Sequence, residues 1–218
     1  VSEHLQYALA KYCPGASLQE ARDHYFRHTS HEMQAILEGR GRVDAFTPAP
    51  ALKPVTVDPK TTALLMLDFV APNCNPRPRC VASVPGAKKL LEEARARGMT
   101  VAHATTLATK ATDILPDLAP KGDEPIVSSG VDKFRNTELE KILKDKGIQH
   151  VITIGTAAHG AVMYTASGAV LRGMKVIFPV DGVSASDPFS EQYVAWHMTN
   201  APVIGPNVTL TKFELLKF

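Results

Sequence analysis

From residue 61 onward, short apolar runs alternate with longer amphipathic stretches. Residues 63–67 (Ala-Leu-Leu-Met-Leu) and 151–154 (Val-Ile-Thr-Ile) are near-continuous apolar runs, the pattern of strands buried on both faces. Residues 100–104, 175–180 and 208–211 read as further strands. Residues 84–97, 138–146, 161–171 and 190–200 read as helices, and the first three stop at Gly98, Gly147 and Gly173. This alternation predicts an α/β domain over residues 61–218: a three-layer, doubly wound parallel sheet of Rossmann-like topology with helices on both faces. Such sheets bind ligands beyond the carboxyl ends of their strands. That rule directs attention to Asp68, to residues 155–161 and to Asp181.

Residues 1–60 follow a different pattern. Ser17 and Glu20 form a capping box ahead of a helix predicted over residues 18–37. Gly39, Gly41 and Thr47-Pro48-Ala49-Pro50 then end it in an extended linker. The expectation is an N-terminal helical arm and Pro-rich linker that clamps a second subunit or covers the pocket, since about 40 ordered residues rarely bury enough core alone. His24, His28 and His31 share one face of that helix. Zinc would need a fourth ligand and a dry pocket there, and a charged surface helix is the expected reading. The first residue is Val1, not Met, so trimming or tagging is expected, with removal of a secretory leader as one cause.

Composition narrows the class. Among 218 residues, Lys+Arg number 24 and Asp+Glu 22, a net charge of +2 that points to neither nucleic acid nor an anionic membrane as partner. No apolar run approaches the roughly 18 residues of a membrane span. Three cysteines are too few for a disulfide scaffold. No GxGxxG or GxxxxGK[ST] is present, so no nucleotide cofactor is expected.

Chemistry collects at the strand ends. Asp68 leaves a buried strand, where desolvation raises a carboxyl pKa and suits it to general acid or base work; the bland alternative is an Asp that caps the next turn. Residues 155–161 join a buried strand to a helix, and backbone amides at Ala157, Ala158, His159 and Gly160 are candidates for holding an anion or a substrate oxygen. The His159 ring faces either a ligand or a backbone carbonyl. Cys74 and Cys80 flank five residues, Asn-Pro-Arg-Pro-Arg. Three readings stand: a disulfide closing a loop beside the pocket, two free thiols, or Cys74 as a nucleophile activated by Arg77 and Arg79. Cys13 lies in the arm and is expected to be inert. Arg77, Arg79 and Lys133 form either a positive pocket rim suited to a carboxylate ligand or ordinary solvated loop charge. Tyr193, Trp196 and Asn200 share a helix face that reads as core or subunit contact.

Four segments resemble the isochorismatase-like hydrolase superfamily: Ala63-Leu-Leu-Met-Leu-Asp-Phe69, Phe134-Arg-Asn-Thr-Glu-Leu139, residues 155–166 with Thr165-Ala166, and Val176-Ile-Phe-Pro-Val-Asp181. The resemblance implies a parallel sheet, a pocket at the strand ends, a small-molecule substrate and commonly a homo-oligomer. Its amidohydrolase members use an Asp, a Lys and a Cys nucleophile. Asp68 matches the Asp, while the family Cys falls on Ala161, which cannot attack a carbonyl. Counting back from Phe134 places the family Lys on Ser128; Lys133 lies out of that register and serves only if loop 128–133 takes another path. An engineered Cys→Ala replacement is a competing account of Ala161, and the second departure at Ser128 argues against it. True isochorismatases also lack the nucleophile and hydrolyse a vinyl ether by protonation from the Asp, with an Ala-His pair that Ala158-His159 matches. They keep the Lys, so Ser128 bears on that chemistry too. The family's metal-binding nicotinamidases carry an Asp and His pair after the first strand that is absent here, so no metal is expected.

Two functions follow as expectations. One is a hydrolase-like protein acting through Asp68 without the cysteine; the other is an inactive small-molecule-binding or structural protein that keeps the fold. Lys133 within hydrogen-bond distance of Asp68 favours the first. A Cys74–Cys80 disulfide implies a periplasmic or secreted location, its absence a cytoplasmic one.

Overall fold

The computed structural model describes residues 50–218. The helix expected over 18–37, the three arm histidines and Cys13 lie outside them. In chain order the elements are β1 (Val55–Thr56), β2 (Thr62–Leu67), α1 (Ala71–Cys74), α2 (Pro78–Ala96), β3 (Thr100–Thr105), β4 (Ile126–Ser128), α3 (Leu139–Asp145), β5 (His150–Thr156), α4 (Met163–Leu171), β6 (Lys175–Pro179), β7 (Val183–Ser184), α5 (Pro188–Asn200), β8 (Val208–Thr211) and β9 (Leu216–Lys217). The main sheet runs β4-β3-β2-β5-β6-β8, every pairing parallel, with β7 added to the end of β5. The chain winds outward from β2 in both directions, so the sheet reverses between β2 and β5.

The apolar run that predicted β2 explains its central place. All six residues of β2 are buried. Successive side chains of a strand point to opposite faces. Ala63, Leu65 and Leu67 therefore enter one core with Leu139 and Leu143 of α3, Ala166 and Ala169 of α4, and Val194 and Met198 of α5. Leu64 and Met66 enter the other with Ala87, Leu91 and Ala94 of α2. Helices thus cover both faces, giving three layers. Helices α2, α3 and α4 end just before Gly98, Gly147 and Gly173, each at positive φ.

Two differences from the sequence pattern have local causes. Helix α2 begins at Pro78, not at residue 84, and continues through Pro85. A proline normally marks a helix boundary, but Pro78 fits the first turn and burial of Cys80 and Ser83 carries the helix past Pro85. The pair β1–β9 uses residues that the composition gives to the linker; Val57 just after β1 is buried in the second core.

Away from the strand ends, β3 carries a buried polar network. His103 Nε2 lies 2.9 Å from Glu124 Oε2, and Arg95 grips both Glu124 oxygens at 2.7 Å. Burial works to raise the Glu124 carboxyl, but Arg95, the Lys121 amide and His103 together hold it down at about 2. Burial pushes His103 down from its ordinary 6.5, with Glu124 working against that shift. Both groups bind more protons in the unfolded chain, so both make stability fall on acidification. His103 acts below pH 6.5 and Glu124 between 4.5 and about 2. Urea titrations from pH 7 to 3 are expected to show Glu124→Gln losing less stability below pH 4.5 than wild type; parallel curves would remove the network from the acid response.

Candidate active site

The ends of β2 and β5 meet where the sheet reverses, with Leu67 opposite Gly155. Gly155 has φ +145, and a Cβ there would stand 2.0 Å from the Leu67 carbonyl oxygen. Only glycine lets the two strands close at this point. Gly155→Ala is expected to cost about 2–3 kcal/mol, the upper part of the overpacking range, in chemical unfolding. A loss below about 0.5 kcal/mol would contradict this close approach.

Asp68 follows directly. It adopts φ 52, a left-handed conformation that Asp tolerates better than most residues, and its amide donates to the Ala104 carbonyl at 3.2 Å. The turn sends a side chain only 6% exposed into the sheet's ligand-binding edge. Lys133, 0% exposed, places its Nζ 2.8 Å from Asp68 Oδ1. The same ammonium donates to the carbonyls of Thr105 at 3.0 Å and Ser129 at 3.2 Å. The Asp68 contact is a buried ion pair. Burial raises the Asp68 carboxyl above its ordinary value, and the charge and proximity of Lys133 offset part of that.

The expectation for Ser128 is therefore corrected. Ser128 closes β4, is exposed, and its Oγ donates to the Thr106 carbonyl at 3.0 Å. Lys133, and not Ser128, stands against Asp68. The path changes because the loop after β4 folds on itself. Ser129 Oγ reaches the carbonyls of Asp132 (3.0 Å) and Arg135 (2.8 Å), and Asp132 Oδ1 accepts from the Phe134 amide. A turn of this kind makes residue counting from Phe134 fail.

Ala161 is buried at the junction between β5 and α4, a single wide turn over Ala158–Val162 that follows a cis peptide between Thr156 and Ala157. It presents a methyl group, with no nucleophilic atom. The Gly160 and Val162 amides both donate to the Ala157 carbonyl, at 2.9 and 3.3 Å. The Gly160 amide is thus engaged inside the turn, which corrects its expected role toward a ligand. Ala157 is half-buried and Ala158 fully buried. His159 is exposed on the side of Asp187, whose carboxyl is held low first by the Ser190 amide and hydroxyl and to a lesser degree by His159.

Cys74 and Cys80, both fully buried, form a disulfide with Cα atoms 5.2 Å apart. The free-thiol and nucleophile readings are thereby excluded. The shared positive rim is also corrected. Arg77 Nε donates to Ser186 Oγ at 3.2 Å, and Arg79 pairs with Glu191, Nε to Oε1 at 2.7 Å. Lys133 lies inside the fold, not on a rim. Asp181 turns away from this chemistry: both its oxygens accept from the Phe213 amide, at 3.0 and 3.1 Å, so it caps a turn. Tyr193 and Trp196 are 41% and 43% exposed, which removes the core reading of that face. Sequence reasoning gave no role to the Thr105 and Ser129 carbonyls, because main-chain acceptors leave no spacing signature, and it met Thr165 only as part of a resembling segment.

Fold and site together define an α/β protein with a buried carboxylate–ammonium pair at the switch point of its sheet. Comparison with known proteins narrows the class. The isochorismatase domain matches residues 62–207, and the chain belongs to the isochorismatase family. It is 32% identical over 117 residues to a secreted isochorismatase effector, Isc1, of Verticillium dahliae. That match takes in 49% of this chain and 62% of the relative's length. Among solved structures, an isochorismatase-like hydrolase from Alkaliphilus metalliredigens superposes with a TM-score of 0.63 at 23% identity, over 71% of this chain and 95% of the other. An N-carbamoylsarcosine amidase from Thermoplasma acidophilum gives 0.60 at 22%, over 71% and 97%. A nicotinamidase from Staphylococcus aureus gives 0.63 at 15%, over 70% and 99%. These likenesses show the fold. Among the described residues, no helix is long and apolar enough to cross a membrane.

Proposed function

We propose that this chain hydrolyses a small vinyl ether of the isochorismate type by proton transfer through Asp68. The observation that carries this reading is a buried, Lys133-paired Asp68, together with an Ala161, in the turn after the neighbouring strand β5, that has only a methyl where the resemblance puts the amidases' thiol. Burial raises the Asp68 carboxyl and Lys133 offsets part of the rise, which shifts it toward the role of a general acid. In the proposed reaction Asp68 delivers it to the terminal vinyl carbon, leaving an oxocarbenium ion. Water adds to the cationic carbon and returns a proton to the carboxylate. The hemiketal then breaks into a 2-oxo acid and an alcohol. Lys133 stabilises the carboxylate between the two transfers. The relative's description as an isochorismatase effector supports the same substrate type.

The test is a panel of enolpyruvyl ethers, amides and ureas. The expected result is 2-oxo acid from an ether and no amide turnover. Amide hydrolysis by the wild type would overturn the reading. The second reading, an inactive binding protein, draws on Ala161 alone; it gains if a ligand binds and no substrate in the panel is consumed.

We place the protein in an oxidising compartment, supported by the Cys74–Cys80 disulfide and the secreted relative. Intact mass is expected to rise by about 2 Da on reduction, two hydrogens for one disulfide; no change would remove this support. A homo-oligomer, with the N-terminal arm as clamp or pocket cover, belongs to the same proposal, and solution mass before and after deleting residues 1–50 tests it.

A further inference from the structure

The loop bearing Lys133 rests on helix α4. Thr165, fully buried, accepts from the Lys133 backbone amide at 3.2 Å and reaches the Val131 carbonyl at 3.3 Å. A helical threonine commonly turns its hydroxyl back to the carbonyl one turn earlier. Thr165 instead directs it out of the helix, to both sides of the lysine loop. One turn further on the same face stands Gly168, where a Cβ would lie 3.0 Å from Asp132 Oδ1 and 3.2 Å from the Phe134 ring. The missing side chain lets residues 132–134 lie directly against α4. On the other side, Thr137 Oγ1 donates to the Lys133 carbonyl at 2.6 Å.

We infer that Thr165, with Gly168 beneath the same loop, is the positioning residue that sets the Lys133 ammonium against Asp68. Asp68 arrives on β2 and Lys133 on the loop after β4, so no single element fixes their separation. Helix α4 supplies the common reference: it begins at the turn that carries Ala161 and holds the lysine's own backbone. Turnover by Asp68 depends on this seat, and that consequence rests on the proton-transfer reading above; the geometry of the ion pair does not.

The test follows the Asp68 carboxyl by carbon-13 NMR in full-length protein labelled at aspartate, across pH. Lys133 lowers this titration against the effect of burial. Thr165→Val, which keeps the shape and removes the hydroxyl, is expected to shift the midpoint upward, in the direction set by Lys133→Met as the limiting reference. Thr165→Ser is expected to restore the wild-type midpoint. Gly168→Ala pushes the loop without touching the hydroxyl and is expected to shift it in the same direction; it stands in if Thr165→Val does not fold. A midpoint equal to wild type in the folded hydroxyl-free or Gly168 variant overturns the inference. If wild type consumes a vinyl ether, Thr165→Val is further expected to lower kcat on the order of 10²-fold with KM within about twofold. A titration shift without any turnover in wild type would defeat the functional reading and leave the positioning role intact.

Discussion

If the proposed proton transfer operates, Asp68→Asn is expected to lower vinyl-ether turnover by about 10²–10⁴-fold, the range that general acid catalysis contributes. Asn is nearly isosteric and accepts the left-handed φ of 52 at this position, so the loss reports chemistry and not a rebuilt turn. What disappears is the transferable proton. Burial is the larger influence on the Asp68 carboxyl and raises it, while Lys133 restrains the rise. The neutral acid is the form that donates. Wild-type kcat/KM is therefore expected to fall as pH increases through the carboxyl's elevated midpoint, and the residual activity of Asp68→Asn is expected to lack that limb. Steady-state assays across pH, with circular dichroism as a folding control, check both points. Activity within about threefold of wild type would remove Asp68 from the reaction.

Lys133→Met destabilises the fold by about 3–5 kcal/mol, the cost of stranding one member of a buried ion pair. Lys133 is fully buried and its ammonium serves three acceptors at once, the Asp68 carboxylate and the carbonyls of Thr105 and Ser129. Without it, the Asp68 charge is surrounded by protein and lacks a partner. The sign of the pH dependence follows. An acid raised on folding binds more protons when native, so stability falls as pH rises through the folded midpoint. The Lys133→Met deficit is thus expected to be small in acid and to reach its full size above that midpoint. Asp68→Asn/Lys133→Met removes both charges and is expected to recover most of the loss, since a buried pair replaced as a unit is often neutral or stabilising. Urea unfolding of the four proteins at several pH values gives the coupling directly. Additive single effects would mean that the two groups do not interact.

Both predictions concern a residue pair that residue counting separated. Counting along the chain works while the path is extended, and it located Asp68 because a strand spaces its residues uniformly. It failed between Ser128 and Phe134, where Ser129 and Asp132 fold the loop and shorten its path. The cysteines divide the same way. Their spacing permitted a disulfide, two free thiols or a nucleophile; burying both sulfur atoms beside one another, at the end of α1 and in the first turn of α2, selected the first. The start of α2 was hidden by Pro85, whose cost is a local backbone term, whereas the burial that outweighs it is a tertiary one.

The sequence by itself determined the α/β class, the burial of β2 on both faces, the glycines that stop α2, α3 and α4, the position of Asp68 at a strand end, and the absence of a thiol at Ala161. Each is a statement about local periodicity or about the identity of one side chain. The tertiary structure alone decided which cation faces Asp68, which amides of the 157–161 turn are already engaged, and that Arg77, Arg79 and Asp181 serve structural partners. Those outcomes depend on where separate elements meet, and parallel strands joined by long crossovers bring together residues whose separation along the chain carries no information about their distance in space.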